Sequence, residues 1–252
     1  MMAGWQAGKC ARASVVAANR LAAALALLAS LSAGPLAAQV GNDPSHSPFR
    51  DITTGQSITL WGGTFFGNTA AAGVGAQAGP MVGLRLRSAL SGPIELMIST
   101  SYVQSKRTVI DATKPPATRV SGPIDYNFFL GDISVGLTLT GNKTWHGLAP
   151  YAALGMGFVA PTQTVTDPGG FTAGSGFSFV ATFGVRARVS RSLMLQVEGR
   201  DNTIRYEWPL RYYNPIDSNG NPLPPVLSGS TPNTDVTHNF SLTAGLSYNF
   251  NF

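Results

Sequence analysis

The C-terminal stretch Val236–Phe252 alternates strictly in polarity. Phe240, Leu242, Ala244, Leu246, Tyr248, Phe250 and Phe252 take one set of alternate positions. Asn239, Ser241, Thr243, Gly245, Ser247, Asn249 and Asn251 take the other. A period of two residues marks a strand with one apolar and one polar face. Seven further segments show the pattern, at about 56–66, 80–87, 93–105, 125–140, 149–160, 176–189 and 192–206. In the second, Val82, Leu84 and Leu86 alternate with Gly83, Arg85 and Arg87. In the sixth, Phe177, Phe179, Phe183 and Val185 alternate with Ser178, Thr182, Gly184 and Arg186.

The connections have a rhythm of their own. Those after the first, third, fifth and seventh segments (67–78, 106–123, 161–175 and 207–235) are long or flexible, and those between are short. Long loops on one rim and tight turns on the other predict an eight-stranded antiparallel up-and-down β-barrel that crosses a membrane. A water-soluble barrel would turn its polar face to solvent and stud it with charge. Here the polar face is mostly Gly, Ser, Thr and Asn, which suit a crowded interior. Charged residues make up only 12% of the chain, against ~25% in a typical soluble domain. After residue 38 no apolar run approaches the ~18 residues of a spanning helix. The apolar face also carries Phe66, Tyr102, Phe129, Phe158, Phe177 and Phe240 at the long-loop ends of their strands, and Tyr248, Phe250 and Phe252 at the other end. These predict aromatic belts at the two membrane interfaces. Tyr206 falls out of register with them.

Residues 1–38 read as a secretory signal peptide. Lys9, Arg12 and Arg20 precede or flank the short apolar run Leu21–Ser32, and Pro35-Leu36-Ala37-Ala38 predicts cleavage after Ala38. Cys10 lies ahead of that run, so the mature chain has no cysteine for a disulfide, thiol site or lipid anchor. Without the leader, 14 basic residues face 12 acidic ones, and the basic pI is no argument for nucleic-acid binding. Residues 39–54 read as a periplasmic lead-in and 55–252 as the barrel, with no further domain expected.

The polar face holds Arg85, Arg87, Glu95, Asp132, Arg186, Arg188, Glu198 and Arg200. A charge inside a narrow lumen must be paired. The tight turns predict that Arg85 or Arg87 faces Glu95, and that Arg186 or Arg188 faces Glu198. Such pairs either plug the barrel or line a narrow pore, and spacing does not separate the two. His46, His146 and His238 lie far apart in this topology, which argues against a metal cluster; no cofactor is expected. Trp208, Tyr212 and Tyr213, with Arg205 and Arg211, are candidates for a sticky outer patch. No glycine run has the strand–loop–helix setting of a phosphate-binding loop.

Taken with the leader, the eight alternating segments and the terminal Phe252, the chain resembles the small outer-membrane β-barrel family of the OmpA transmembrane domain and OmpX-like proteins. The resemblance covers about residues 55–252. It implies location in the cell outer membrane, contact with membrane lipid and lipopolysaccharide, and delivery by the barrel-assembly machinery through the Phe252 strand. Members are structural barrels, adhesins, narrow pores or, rarely, lipid enzymes, and fold does not choose among them. The expected role is a non-enzymatic barrel with a filled lumen and displayed loops; the alternatives are a porin-like small-solute channel and a lipid-modifying enzyme. For the last, His238, Ser241 and Glu207 are similar to the His, Ser and acid of outer-membrane lipid A deacylases. The family pattern puts Ser two residues beyond His, where this chain has Phe240.

Overall fold

The computed structural model describes residues 47–52 and 55–250. The predicted signal peptide, His46 and Phe252 lie outside the described residues. Eight long strands close one barrel: β2 (Gln56–Phe66), β3 (Gly79–Ser91), β4 (Ile94–Val103), β7 (Phe128–Thr138), β9 (Leu148–Pro161), β10 (Gly176–Arg188), β11 (Leu193–Glu207) and β12 (Thr234–Phe250). Each pairs antiparallel with its neighbour in that order, and β12 pairs back onto β2 from Phe250↔Gln56 to Phe240↔Phe66. The strands start and stop within a few residues of the alternating segments. The largest difference is at the first turn. β3 runs on to Ser91 through a register shift at Ala89, and the reversal shrinks to Gly92-Pro93, with Gly92 at φ +53°.

Four shorter strands escape the sequence pattern. β5 (Lys106–Ile110) and β6 (Val120–Asp125) pair as a hairpin that rises from the barrel rim. β1 (Phe49–Asp51), in the stretch read as aperiodic lead-in, pairs with β8 (Lys143–Trp145) at the opposite rim. Segments of three to six residues are too short for a period to register against the variety of surroundings that each meets.

The alternation sorts inside from outside as expected. Leu60, Leu84, Leu154 and Phe179 point outward, Leu154 with 71% of its surface uncovered, while Arg85, Glu198, Asn239 and Thr243 point inward and are buried. The interior is full. The Trp61 ring lies over its neighbour on β3, and a Cβ on Gly83 would lie 2.3 Å from it. Tyr151 lies on Gly184 in the same way, at 2.9 Å. These inward glycines are there because a neighbouring ring occupies the space a side chain would need.

Two zones divide the interior along its length. The half nearer the short turns is polar and charged. The half nearer the long loops holds the apolar core, with a few buried amides and hydroxyls such as Asn202 and Asn239 beside it: Phe65, Val103, Phe128, Leu130, Val159 and Ile204 from the strands merge with Tyr126, Phe171, Trp208, Tyr212 and Leu227 from the loops.

Candidate functional site, a charged lumen beneath an aromatic cap

Three ion-pair groups fill the charged zone. In the first, Arg85 on β3 donates through both terminal nitrogens to Glu198 on β11, at 2.5 and 2.7 Å. Its Nε donates to the Ser99 hydroxyl at 2.9 Å, and the Tyr151 hydroxyl donates to the same carboxylate. In the second, Glu95 on β4 accepts from Arg186 at 2.5 and 3.0 Å and from Arg87 at 3.1 Å. Arg87 also donates to Ser57 (2.8 Å) and Asn249 (2.9 Å). The Arg186 guanidinium stands 3.9 Å above the Tyr151 ring, which links the two groups. In the third, Arg200 donates to Asp132, which also accepts from Ser134, and the guanidinium lies 5.4 Å from the Trp61 ring.

Seven of the eight charges expected in the lumen are therefore in it and paired. Arg87 does face Glu95 across the tight turn. The other expected pairing is corrected: Glu198 meets neither Arg186 nor Arg188. It stands opposite Gly184, whose missing side chain admits the Tyr151 ring, and takes its arginine from β3 instead. Arg186 reaches across to Glu95. In a barrel this narrow a long side chain spans the lumen as easily as it reaches its neighbour. Arg188 is corrected as well. It is the last residue of β10, at the rim, and donates to the backbone carbonyls of Asp51 (3.0 Å) and Ser190 (3.3 Å). There it can turn away from the lumen to backbone carbonyls at the rim.

A closed eight-stranded barrel with an apolar outside and a charged inside is matched by one family model, described as outer membrane protein beta-barrel domain, over residues 23–250. The chain belongs to that family. It is an integral β-barrel of the cell outer membrane, and its apolar outside is the face that meets lipid. No curated protein matches it in sequence. Among solved structures it is similar to the Neisserial surface protein NspA (14% identity, covering 81% of this chain and 98% of that one, TM-score 0.45). It is also similar to OprG of Pseudomonas aeruginosa (9%, 80% and 99%, TM-score 0.47) and to the attachment invasion locus protein Ail of Yersinia pestis (10%, 78% and 99%, TM-score 0.41). Likenesses at this level say nothing of what the chain does.

Within the family fold, the aromatic positions read from sequence take outward places. Phe66, Phe129, Phe158, Phe177 and Phe240 are exposed at the long-loop ends of their strands, and Tyr248 is exposed at the other. Tyr102 is half-covered by Phe129, with ring centroids 5.2 Å apart, and Phe250 stacks on Tyr248 at 6.4 Å. Tyr206, out of register with the belt, is not part of it. The β11–β12 register runs unbroken from Leu193↔Tyr248 to Glu207↔Thr234, and Tyr206 simply points inward.

That inward tyrosine starts the cap. Trp208 stacks on it (5.9 Å, 8°), Tyr212 stacks on Trp208 (6.1 Å, 19°), and Phe171 lies 5.5 Å from Trp208. The sticky outer patch is thus corrected: Trp208 and Tyr212 are buried, and Tyr213 is half-buried and donates to the Pro232 carbonyl at 2.8 Å. Trp208 and Tyr213 flank a 3-10 turn (Leu210–Tyr212) that ends in Tyr212 and folds the long loop over the barrel mouth. Arg205 remains outside, 3.1 Å from Glu207. Each aromatic contact is worth about 0.5–1.5 kcal/mol beyond its buried area, and an exposed ion pair about 0–1 kcal/mol, so stacking holds the cap.

One buried ion pair bolts it down. Arg107 of β5 donates to both oxygens of Asp167 in the β9–β10 loop, at 2.8 and 2.6 Å. Burial alone would make the Arg107 guanidinium less basic; its hydrogen bonds and charge contact with Asp167 outweigh that and make it more so. Burial raises the pKa of the neighbouring Tyr212 phenol.

The candidate catalytic trio is not brought together. His238 faces outward with Nδ1 2.6 Å from an Asp201 carboxylate oxygen, Ser241 points inward and is buried, and Glu207 pairs with Arg205. His146 sits in the β8–β9 turn against Trp145.

Proposed function

We propose that the chain is a non-enzymatic structural barrel of the outer membrane, with a lumen sealed by its own side chains and a packed cap that displays the long loops. The observation that carries this reading is the set of cross-barrel pairs Arg85–Glu198, Arg186–Glu95 and Arg200–Asp132, all buried, beneath an apolar core drawn from four loops. The exposed loop segments, such as Pro115–Thr118 and Ser218–Pro222, are then the surface offered to a partner. Membrane lipid and lipopolysaccharide are its surroundings in this reading, and the alternating C-terminal sequence Val236–Phe252 its address for the assembly machinery.

A narrow water or solute path is the second reading. It is favoured by Trp61 Nε1, Arg200 Nε, Asn202 Nδ2, Ser241 Oγ and Thr243 Oγ1, buried polar atoms for which no protein group among the described residues is a partner. Such atoms are usually met by water. Planar-bilayer conductance of the refolded chain separates the two. A silent bilayer is expected, with folding shown by a heat-dependent gel shift. Steady, salt-dependent steps that change on Glu95→Ala or Glu198→Ala would replace the sealed barrel with a pore.

A further inference from the structure

The barrel wall has an opening. The β10–β11 ladder runs from Arg188↔Met194 up to Val180↔Asn202 and stops there. Both strands go on. β10 stays paired with β9 as far as Gly176↔Val159, and β11 with β12 as far as Glu207↔Thr234. Above Val180 they part. At the fork the Thr203 hydroxyl stands in for the ladder: it accepts from the Phe179 N–H at 3.0 Å and donates to the Phe179 carbonyl at 3.4 Å. A cavity of about 600 Å³ occupies the gap, within the ~300–1,000 Å³ of ordinary ligand sites.

The lining of this cavity comes from both sides of the wall. Tyr126, Phe171 and Tyr206 of the cap form its back; Phe177 and Phe179, exposed on the lipid face, form its doorway, and Val236 lies beside Arg205 at its upper end. An open sheet edge is not tolerated in bare hydrocarbon, only where it lines a cavity. Phe177 and Phe240 place the opening at the outer aromatic belt, where the bilayer meets water. Arg205 and Glu207 stand on its upper rim. A doorway in lipid, an apolar chamber and a charged lip at the water side match an amphiphile with its tail inside and its head group at the lip.

We propose that the β10–β11 opening is a lateral binding site for one alkyl chain of an outer-leaflet amphiphile. The site holds whether or not the lumen conducts, because its back wall is the cap and not the charged zone. Trp208 stacks on two of its lining rings, Phe171 and Tyr206, and reports on it. Gly176 allows a clean block: it lines the cavity, and a Cβ there meets nothing within 4 Å.

The full chain is reconstituted in bilayers of phosphatidylcholine brominated along its acyl chains, or in plain bilayers with dibromostearic acid added. The signal is the part of the tryptophan quenching that Trp208→Phe removes. Trp208 quenching in the wild type and its loss in Gly176→Phe are expected. Quenching by the brominated bilayer alone names a membrane lipid as the occupant; quenching only after dibromostearic acid is added names a free amphiphile. If neither probe quenches Trp208, or if Gly176→Phe leaves the quenching intact, the site does not exist. Should Gly176→Phe lose the heat-dependent gel shift of a folded barrel, Gly174→Phe, also lining the cavity with open space at its Cβ, gives the same reading.

Discussion

Glu198 accepts from Arg85 twice and from Tyr151 once, so neutralising it leaves a buried guanidinium without its counter-charge. Breaking a buried pair from one side costs about 3–5 kcal/mol, whereas replacing both partners with apolar groups of similar size is often neutral. Glu198→Gln should therefore lower the unfolding free energy in lipid by about that amount. The double variant Arg85→Met/Glu198→Met should recover most of it, both read by denaturant titration. The parity of these residues was legible from alternation alone, since a period of two fixes which face each side chain takes. Their partners were not. Glu198 is opposite Gly184, and its arginine arrives from the far wall. That depends on the barrel's width and on which inward positions are empty, neither of which is written locally.

The β5–β6 hairpin and the loops work as a second layer on the barrel strands. Its bolt is Arg107–Asp167, and Asp167→Asn should free the β9–β10 loop while the barrel stays closed. The expected readout is proteolytic cutting between about residues 162 and 175, with the heat-dependent gel shift unchanged. Acid should act on the other end of the hairpin. Burial would raise the Asp111 carboxyl; donation from the Thr113 hydroxyl (2.6 Å) and N–H (3.0 Å) and the nearby Lys114 (3.3 Å) outweigh it and hold the carboxyl below its ordinary value. A depressed acid contributes its full stability above the ordinary carboxylate range and loses it as pH falls through the depressed value. Protease resistance of the 111–119 turn should thus stay level from neutral to mildly acid pH and drop only in stronger acid. Long alternating strands announced themselves in the sequence. This layer did not, because its pieces are short and its contacts, Arg107 with Asp167 or Tyr206 with Trp208, join segments whose polarity has no period.

For the whole molecule, sequence and structure agree most where physics is repetitive: eight strands, one apolar outside, one polar inside, long loops on one rim. They diverge where the loops pack, since Trp208 and Tyr212 read as surface aromatics until the mouth they cover is known. The cross-barrel bolts also have a consequence for time. Arg85 and Glu198 are 113 positions apart, Glu95 and Arg186 91, and Asp132 and Arg200 68. Arg85 and Glu198 lie on opposite sides of the β12–β2 seam and cannot meet before it closes, and the other two pairs need a sheet already curled, whereas the hairpins that build it form from neighbours. Interactions that appear only after the rate-limiting barrier leave the folding rate alone and set the unfolding rate. Glu198→Gln should accordingly speed unfolding from the membrane while barely changing the rate of insertion, a split that stopped-flow traces in both directions would show. The bolts act as a latch: they do little to bring the barrel into the membrane, and they determine how long it stays closed.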